Sequence, residues 1–119
     1  MRSEGTATDP VLDLDAALAR LGGDRELFAD LVGYLLEDAP PLIGDLTVAV
    51  NARDAPLVRS KAHALKNLVA GCGGVRATNI TQALEDSGQS GNLGSAPTLL
   101  TELQRALAEL TNALAEHRR

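Results

Sequence analysis

An all-α fold, an antiparallel four-helix bundle with a short extra N-terminal helix, is predicted by three features of this sequence. Its apolar content of 45% comes mainly from 21 Leu and 19 Ala, with one Phe, one Tyr and no Trp. Strong helix formers therefore dominate, and β-branched or aromatic material for strands is scarce. Apolar residues recur at spacings of three and four, the period of a helix with one buried face. Gly-Gly pairs, Asp and Pro separate these runs, where helices start and stop. At 119 residues the chain is long enough to bury about two thirds of its unfolded surface in one core, and residues 11–119 are expected to form that single domain.

Residues 1–10 are polar, small and without periodicity, as in a disordered leader or a linker. Val11 to Leu21 carries Leu14, Ala17, Leu18 and Leu21 at helical spacing, with Asp13 or Asp15 able to cap it. Gly22-Gly23 ends that helix. Asp24 caps a long one reaching Ala52, whose apolar face is Leu27, Phe28, Leu31, Leu35, Leu42 and Leu46. Pro40-Pro41 interrupts its hydrogen bonding, and because the apolar face continues beyond them a kink is expected rather than two helices. The short Asn51–Asp54 connection makes the next helix an antiparallel neighbour. That helix spans Asp54 to Cys72, with Asp54 as N-cap, Pro56 in the first turn and Gly73-Gly74 as a left-handed stop. Val75 to Asp86 carries Ile80, Ala83 and Leu84 as a fourth helix. Ser87–Gly94, with three glycines and Asn92, reads as a loop. Ser95 caps the last helix, to Glu116, with Pro97 in its first turn and Leu99, Leu100, Leu103, Leu107, Leu110 and Leu114 inside.

Several classes of function are disfavoured. A net charge of −5 and a pI near 4.9 do not supply the clustered cations that neutralise nucleic-acid phosphates. No apolar run approaches the ~20 residues of a membrane span, and no secretory signal is evident, so a cytoplasmic domain is expected. The single Cys72 lies on an apolar face and reads as a packing residue. His63 and His117 lack the spacing of a metal site, so no metal of its own is expected. Glu37 and Asp38 read as a solvated face, and His117 as part of a fraying, cation-rich end. There is no Walker-type glycine loop and no locally supported Ser-His-Asp set.

The informative residue is His63. On a helical wheel Val58, Ala62, Leu65, Val69 and Cys72 cluster on one side, and His63 falls about 140° from their centre, facing water. Arg59, Lys66, Asn67 and Ala70 are its neighbours on the exposed side. Flanking cations leave a ring nitrogen available as a nucleophile and would neutralise a dianionic group attached to it. Antiparallel packing at ~1.5 Å per residue sets His63 level with Pro41 to Ile43.

The string Ala62-His63-Ala64-Leu65-Lys66, followed by Gly73, resembles the signature of the histidine-containing phosphotransfer (HPt) domain family, in which Ala-His-x-Leu-Lys-Gly-Ser-Ala leads to a glycine turn. The resemblance extends from Leu21-Gly22-Gly23-Asp24 to Leu84-Glu85. It departs at Asn67, where glycine is usual, at Leu68-Val69, usually small, and at Gly74, often alanine. The resemblance implies a phosphocarrier without an independent catalytic site, which carries a phosphoryl group on His63 between response-regulator receiver domains in a two-component phosphorelay. Lys66, and more weakly Arg59, would stabilise the phosphoryl oxygens, and Asn67, Ala70 and Ile43 would adjoin the docking surface. Implied partners are receiver domains and a sensor or hybrid histidine kinase, with Mg²⁺ held by the receiver and the domain itself a monomer, either free-standing or part of a hybrid kinase. The alternative is a degenerate HPt-like module that docks a signalling partner without being phosphorylated, a reading suggested by Asn67.

Overall fold

The computed structural model of the chain describes residues 9–117. Among these residues five α-helices follow one another: α1 Leu14–Arg20, α2 Arg25–Asn51, α3 Ala55–Gly71, α4 Val75–Ser90 and α5 Ala96–Leu114, the last ending in a 3-10 turn over Ala115–His117. Helices α2 to α5 form the antiparallel bundle, with α3 against both α2 and α4, and α5 closing the ring against α4 and α2. Among the described residues there is no strand.

Three aspartates start helices, Asp24 and Asp54 as the sequence predicts and Asp13 as one of the two candidates it offers for α1. The Asp13, Asp24 and Asp54 carboxylates accept from the backbone N–H groups of Ala16, Leu27 and Leu57 at 3.1, 3.0 and 3.2 Å, each satisfying a donor that a helix start leaves unpaired. Helix α2 runs through Pro40 and Pro41 without a break. Both prolines are exposed, so the backbone groups they leave unpaired lie on the outer side of the helix, within reach of water.

Three boundaries differ from expectation. Helix α1 begins at Leu14 rather than Val11, because the preceding backbone is bonded elsewhere. The Asp13 N–H donates to the Gly73 carbonyl at 2.8 Å and the Arg76 N–H donates to the Pro10 carbonyl at 3.0 Å. The Arg76 guanidinium adds two bonds to the Asp9 carbonyl, at 3.0 and 2.7 Å. Residues 1–8, most of the expected leader, lie outside the described residues. Helix α4 does not end at Asp86 but continues to Ser90, with Gly91 in the left-handed conformation (φ 80°) as its cap. Gly88, read as a breaker, is helical and buried. A Cβ there would stand 2.5 Å from the Arg59 nitrogen and 2.8 Å from the Ala55 carbonyl oxygen, so this glycine marks a close crossing of α4 over the first turns of α3. Finally, Ser95 makes no side-chain cap bond, and α5 gives way to the 3-10 turn at Ala115. His117 in that turn is not frayed away from the core. Its ring meets Phe28 edge-on, with centroids 6.0 Å apart and planes at 77°, a packing role.

The core is aliphatic, led by Leu35, Leu46, Leu65, Leu84, Leu103, Leu110 and Leu114. The face predicted for α3, Val58, Ala62, Leu65, Val69 and Cys72, is wholly buried. Burial pushes the Cys72 thiol up to about 11, so it stays neutral and inert. Among the described residues Thr81 is the one buried polar residue, and its hydroxyl, within hydrogen-bonding distance of the Ala77 and Thr78 carbonyls at 2.9 and 2.8 Å, is satisfied within its own helix. Between α3 and α4, Gly73 takes φ 80° while Gly74 has φ −80°. Only the first therefore supplies the left-handed stop. A Cβ on Gly73 would also meet the Asp13 carbonyl oxygen at 2.7 Å and Ala17 at 2.9 Å, which shows how closely α1 sits on this turn.

Candidate functional site

With one face of α3 buried in the bundle, His63 is left on the outside, its side chain 54% exposed. The pairing of α3 with α4 decides what surrounds it. Arg59 reaches Gln89, His63 reaches Glu85 and Lys66 reaches Gln82. Each step forward along α3 is matched by a step back along α4, the register of an antiparallel pair folded about the Gly73-Gly74 turn.

The His63 ring bonds through Nδ1 to Glu85 Oε2 at 3.0 Å. The other oxygen of the same carboxylate, Oε1, lies 2.8 Å from Lys66 Nζ, and Lys66 also donates to Gln82 Oε1 at 3.0 Å. Gln82 in turn donates to Asp86 at 2.9 Å. The Glu85 side chain is only 12% exposed. The Lys66 ammonium is the main influence holding the Glu85 carboxyl below the usual carboxylate range; desolvation opposes it and His63 adds to it. Glu85 is thus ionised at neutral pH and has no proton to give. In its bond with His63 the hydrogen must sit on Nδ1, which leaves Nε2 of the neutral ring with its lone pair free. Two helices and a half-buried ion pair fix a projecting imidazole in one tautomer.

This arrangement corrects the electrostatics expected from the sequence. Arg59 and Lys66 are both turned toward α4, Arg59 Nε donating to Gln89 Oε1 at 3.2 Å, and the charged group bonded to the ring is a carboxylate. Lys66 acts on His63 through Glu85. Asn67 is exposed one turn along from His63. Ala70 is half-buried, its carbonyl accepting from Arg20 Nη2 at 2.9 Å. The expected level of α2 is seen, since Lys61 pairs with Asp45 at 3.3 Å and Ala64 and Leu68 share a groove with Leu42 and Pro41. Ile43, however, faces the other way. It lines a groove with Gln104, Leu107 and Ala108 of α5, because one residue of helix turns about 100°. Leu42 and Asp45 hold the α3 side instead.

Glu85 and Gln82 were not assigned roles from the sequence. A signal was present all the same: His63 lies ten residues before Gly73 and Glu85 eleven after Gly74, nearly equal reaches from one turn. Among the described residues no three His, Cys, Asp or Glu cluster so as to hold a metal ion, and no helix is long and apolar enough to cross a membrane.

Comparison with known proteins bears on the family of this chain. Among solved structures, the crystal structure of histidine-containing phosphotransfer protein B (HptB) from Pseudomonas aeruginosa PAO1 matches with a TM-score of 0.82 and 28% identity, covering 93% of this chain and 96% of that one. No match was found among curated proteins. A family model described as the Hpt domain matches residues 30–113, a span that includes the whole of α3 and α4 and the His63–Glu85 pair between them, and the chain belongs to the Hpt domain family.

Proposed function

We propose that His63 is the phosphoacceptor of a two-component phosphorelay, taking the group from the aspartyl phosphate of one receiver domain and returning it to the aspartate of another. The observation that carries this reading is the exposed ring held through Nδ1 on a half-buried carboxylate. The Nε2 lone pair forms the N–P bond as the P–O bond to the aspartyl carboxylate breaks, and that carboxylate departs as an anion. The Nδ1 proton stays in place, and the positive charge gained by the ring is met by Glu85. Reversal passes the group on. Such transfer depends on in-line positioning and charge neutralisation. The chain's own part is therefore a rigid, correctly protonated nucleophile, and it works as a phosphocarrier rather than an enzyme with its own site. The Mg²⁺ such a reaction uses is assigned to the receiver, where it would neutralise phosphoryl charge. Lys66 holds Glu85, and Lys66 and Arg59, about one turn to either side of His63 on α3, are the cations assigned to the phosphoryl oxygens. Membership of the family and likeness to a histidine-containing phosphotransfer protein support the role.

The test is incubation with a panel of phosphorylated receivers, scoring acid-labile, base-stable label on the domain. His63→Gln is expected to lose the label while stability shifts by less than about 0.5 kcal/mol, as is usual at an exposed helical position. Glu85→Gln keeps an acceptor but loses the charge. It is expected to slow transfer by about 10- to 100-fold, in line with 1.5–3 kcal/mol for a charge-assisted bond. Label that survives His63→Gln would refute the assignment. A wild-type domain that binds receivers yet never takes label would favour docking without phosphorylation.

A further inference from the structure

Across the seam between α3 and α4, His63 and the cations on either side of it meet partners in a set order. Arg59 Nε donates to Gln89 Oε1 at 3.2 Å, His63 bonds Glu85 at 3.0 Å and Lys66 donates to Gln82 Oε1 at 3.0 Å, so a carboxylate stands in the middle with an amide on each flank. Two other cations that reach across to another helix meet carboxylates, Lys61 meeting Asp45 and Arg76 meeting Glu109. Beside His63 the amides hold a cation without cancelling it. No salt bridge among the described residues engages Arg59, and Lys66 shares its one carboxylate, Glu85, with the ring. The orientation of Gln82 is fixed by chemistry, because its Nε2 donates to Asp86 Oδ1 at 2.9 Å. A carboxylate only accepts and an ammonium only donates, so a turned amide would set donor against donor and acceptor against acceptor.

Resting on the phosphorelay reading above, we infer that Gln82 and Gln89 are positioning residues for the phosphoryl group: each holds a cation one turn from His63 through a neutral amide, so that the cation is placed and keeps its charge. The charge count follows from the transfer itself. When Nε2 takes the phosphoryl group the ring becomes positive and is balanced by Glu85, and the two remaining cations, Arg59 and Lys66, match the two negative charges of the phosphoryl dianion. Glutamate at positions 82 and 89 would hold the same cations but cancel them, leaving the dianion unopposed. An apolar residue would leave two long side chains loose, and ordering them when the group arrives costs conformational entropy. Only a neutral acceptor avoids both penalties. The distances involved, about one helical turn, lie inside the ~8–10 Å over which charges act at physiological salt, so the count governs the site although Arg59, Gln82 and Gln89 are exposed.

The experiment compares wild type with Gln82→Glu, Gln89→Glu and Gln89→Met and, as a carboxylate added elsewhere, Thr98→Glu on α5. The donor is phosphoramidate, from which Nε2 takes the phosphoryl group as ammonia leaves, so no receiver has to dock. Two quantities are read: the initial rate of labelling, and the pH at which the attached phosphoryl group loses its last proton, followed by phosphorus NMR. Each glutamate variant is expected to label about three- to tenfold more slowly and to move that ionisation up by about 0.5 to 1 on the pH scale, the effect of one added charge about 6 Å away near a surface. Gln89→Met frees Arg59 without neutralising it, and is expected to fall between wild type and Gln89→Glu in both quantities. Thr98→Glu should change neither. The inference is overturned if both glutamate variants match wild type, if Thr98→Glu does as much as they do, or if Gln89→Met is indistinguishable from wild type in both quantities. A wild type that takes no label at His63 from phosphoramidate or from phosphorylated receivers overturns the phosphoacceptor reading and this inference with it, whereas normal labelling of wild type with unmoved variants overturns the inference alone.

Discussion

Replacing Gly88 by alanine sets two physical effects against each other. Gly88 sits in the interior of α4, where alanine is the better helix former by about 1 kcal/mol. Its Cβ, however, would stand 2.5 Å from the Arg59 nitrogen, 2.8 Å from the Ala55 oxygen and 2.8 Å from the Arg59 Cα. All three are backbone atoms of α3, so no side chain can swing away. Ordinary contact requires the helices to separate by roughly 1 Å, and overpacking of that kind costs about 1–3 kcal/mol. Loss of contact along the rest of the α3–α4 seam adds to it. The crowding outweighs the propensity, and a net loss of about 1–2 kcal/mol is expected. For a domain of this size that is a fall in Tm of roughly 3–8 °C, read by urea and thermal unfolding followed by far-UV circular dichroism. A second readout tests the link to the site. Gly88 is three residues from Glu85, so separation there opens the 3.0 Å His63–Glu85 bond and should slow phosphoryl acceptance as well. If Gly88→Ala stabilises the protein by about 1 kcal/mol, propensity has won and the reasoning about the close crossing is wrong.

Lys66→Ala should impair transfer more than Arg59→Ala, since Lys66 holds the carboxylate that orients His63 whereas Arg59 bonds only Gln89; receiver-to-domain transfer rates for the two variants decide it, and the opposite order would reverse the roles. The same pair sets a pH dependence. Glu85 is held below its ordinary carboxylate range chiefly by Lys66, so its contribution to stability is present above the unfolded value of about 4.3 and is lost as pH falls through the lower folded value. The stability difference between wild type and Lys66→Ala should therefore be constant near neutrality and shrink in acid below about pH 4, as measured by denaturant midpoints. Asn67→Gly should speed acceptance by clearing the exposed side beside His63, at a helix-propensity cost of a few tenths of a kcal/mol. A slower rate with the fold intact would show that the Asn67 amide assists the phosphoryl group, as would a hydrogen bond donated to it.

The sequence by itself determined the features whose causes lie within a turn or two of chain. The caps at Asp24 and Asp54, the wholly buried face Val58-Ala62-Leu65-Val69-Cys72 and the outward aim of His63 all depend on neighbours three or four residues away, and the structure has each of them. The resemblance around His63 was legible for the same reason, and it led to the right family. Tertiary structure alone decided what depends on the register and separation of two helices. Glu85 meets His63 across 22 positions and Gln82 meets Lys66 across 16, distances over which no local periodicity carries information. Gly88 looks like a breaker in one dimension and becomes a contact residue only when α3 is laid against it. Ile43 is level with His63 but faces α5, because packing, and not position along the chain, chooses which side of α2 is turned inward. Segment Asp9–Asp13 is fixed by bonds to Gly73, Arg76 and Asn79, partners about 60 to 70 residues away whose approach depends on the bundle having closed.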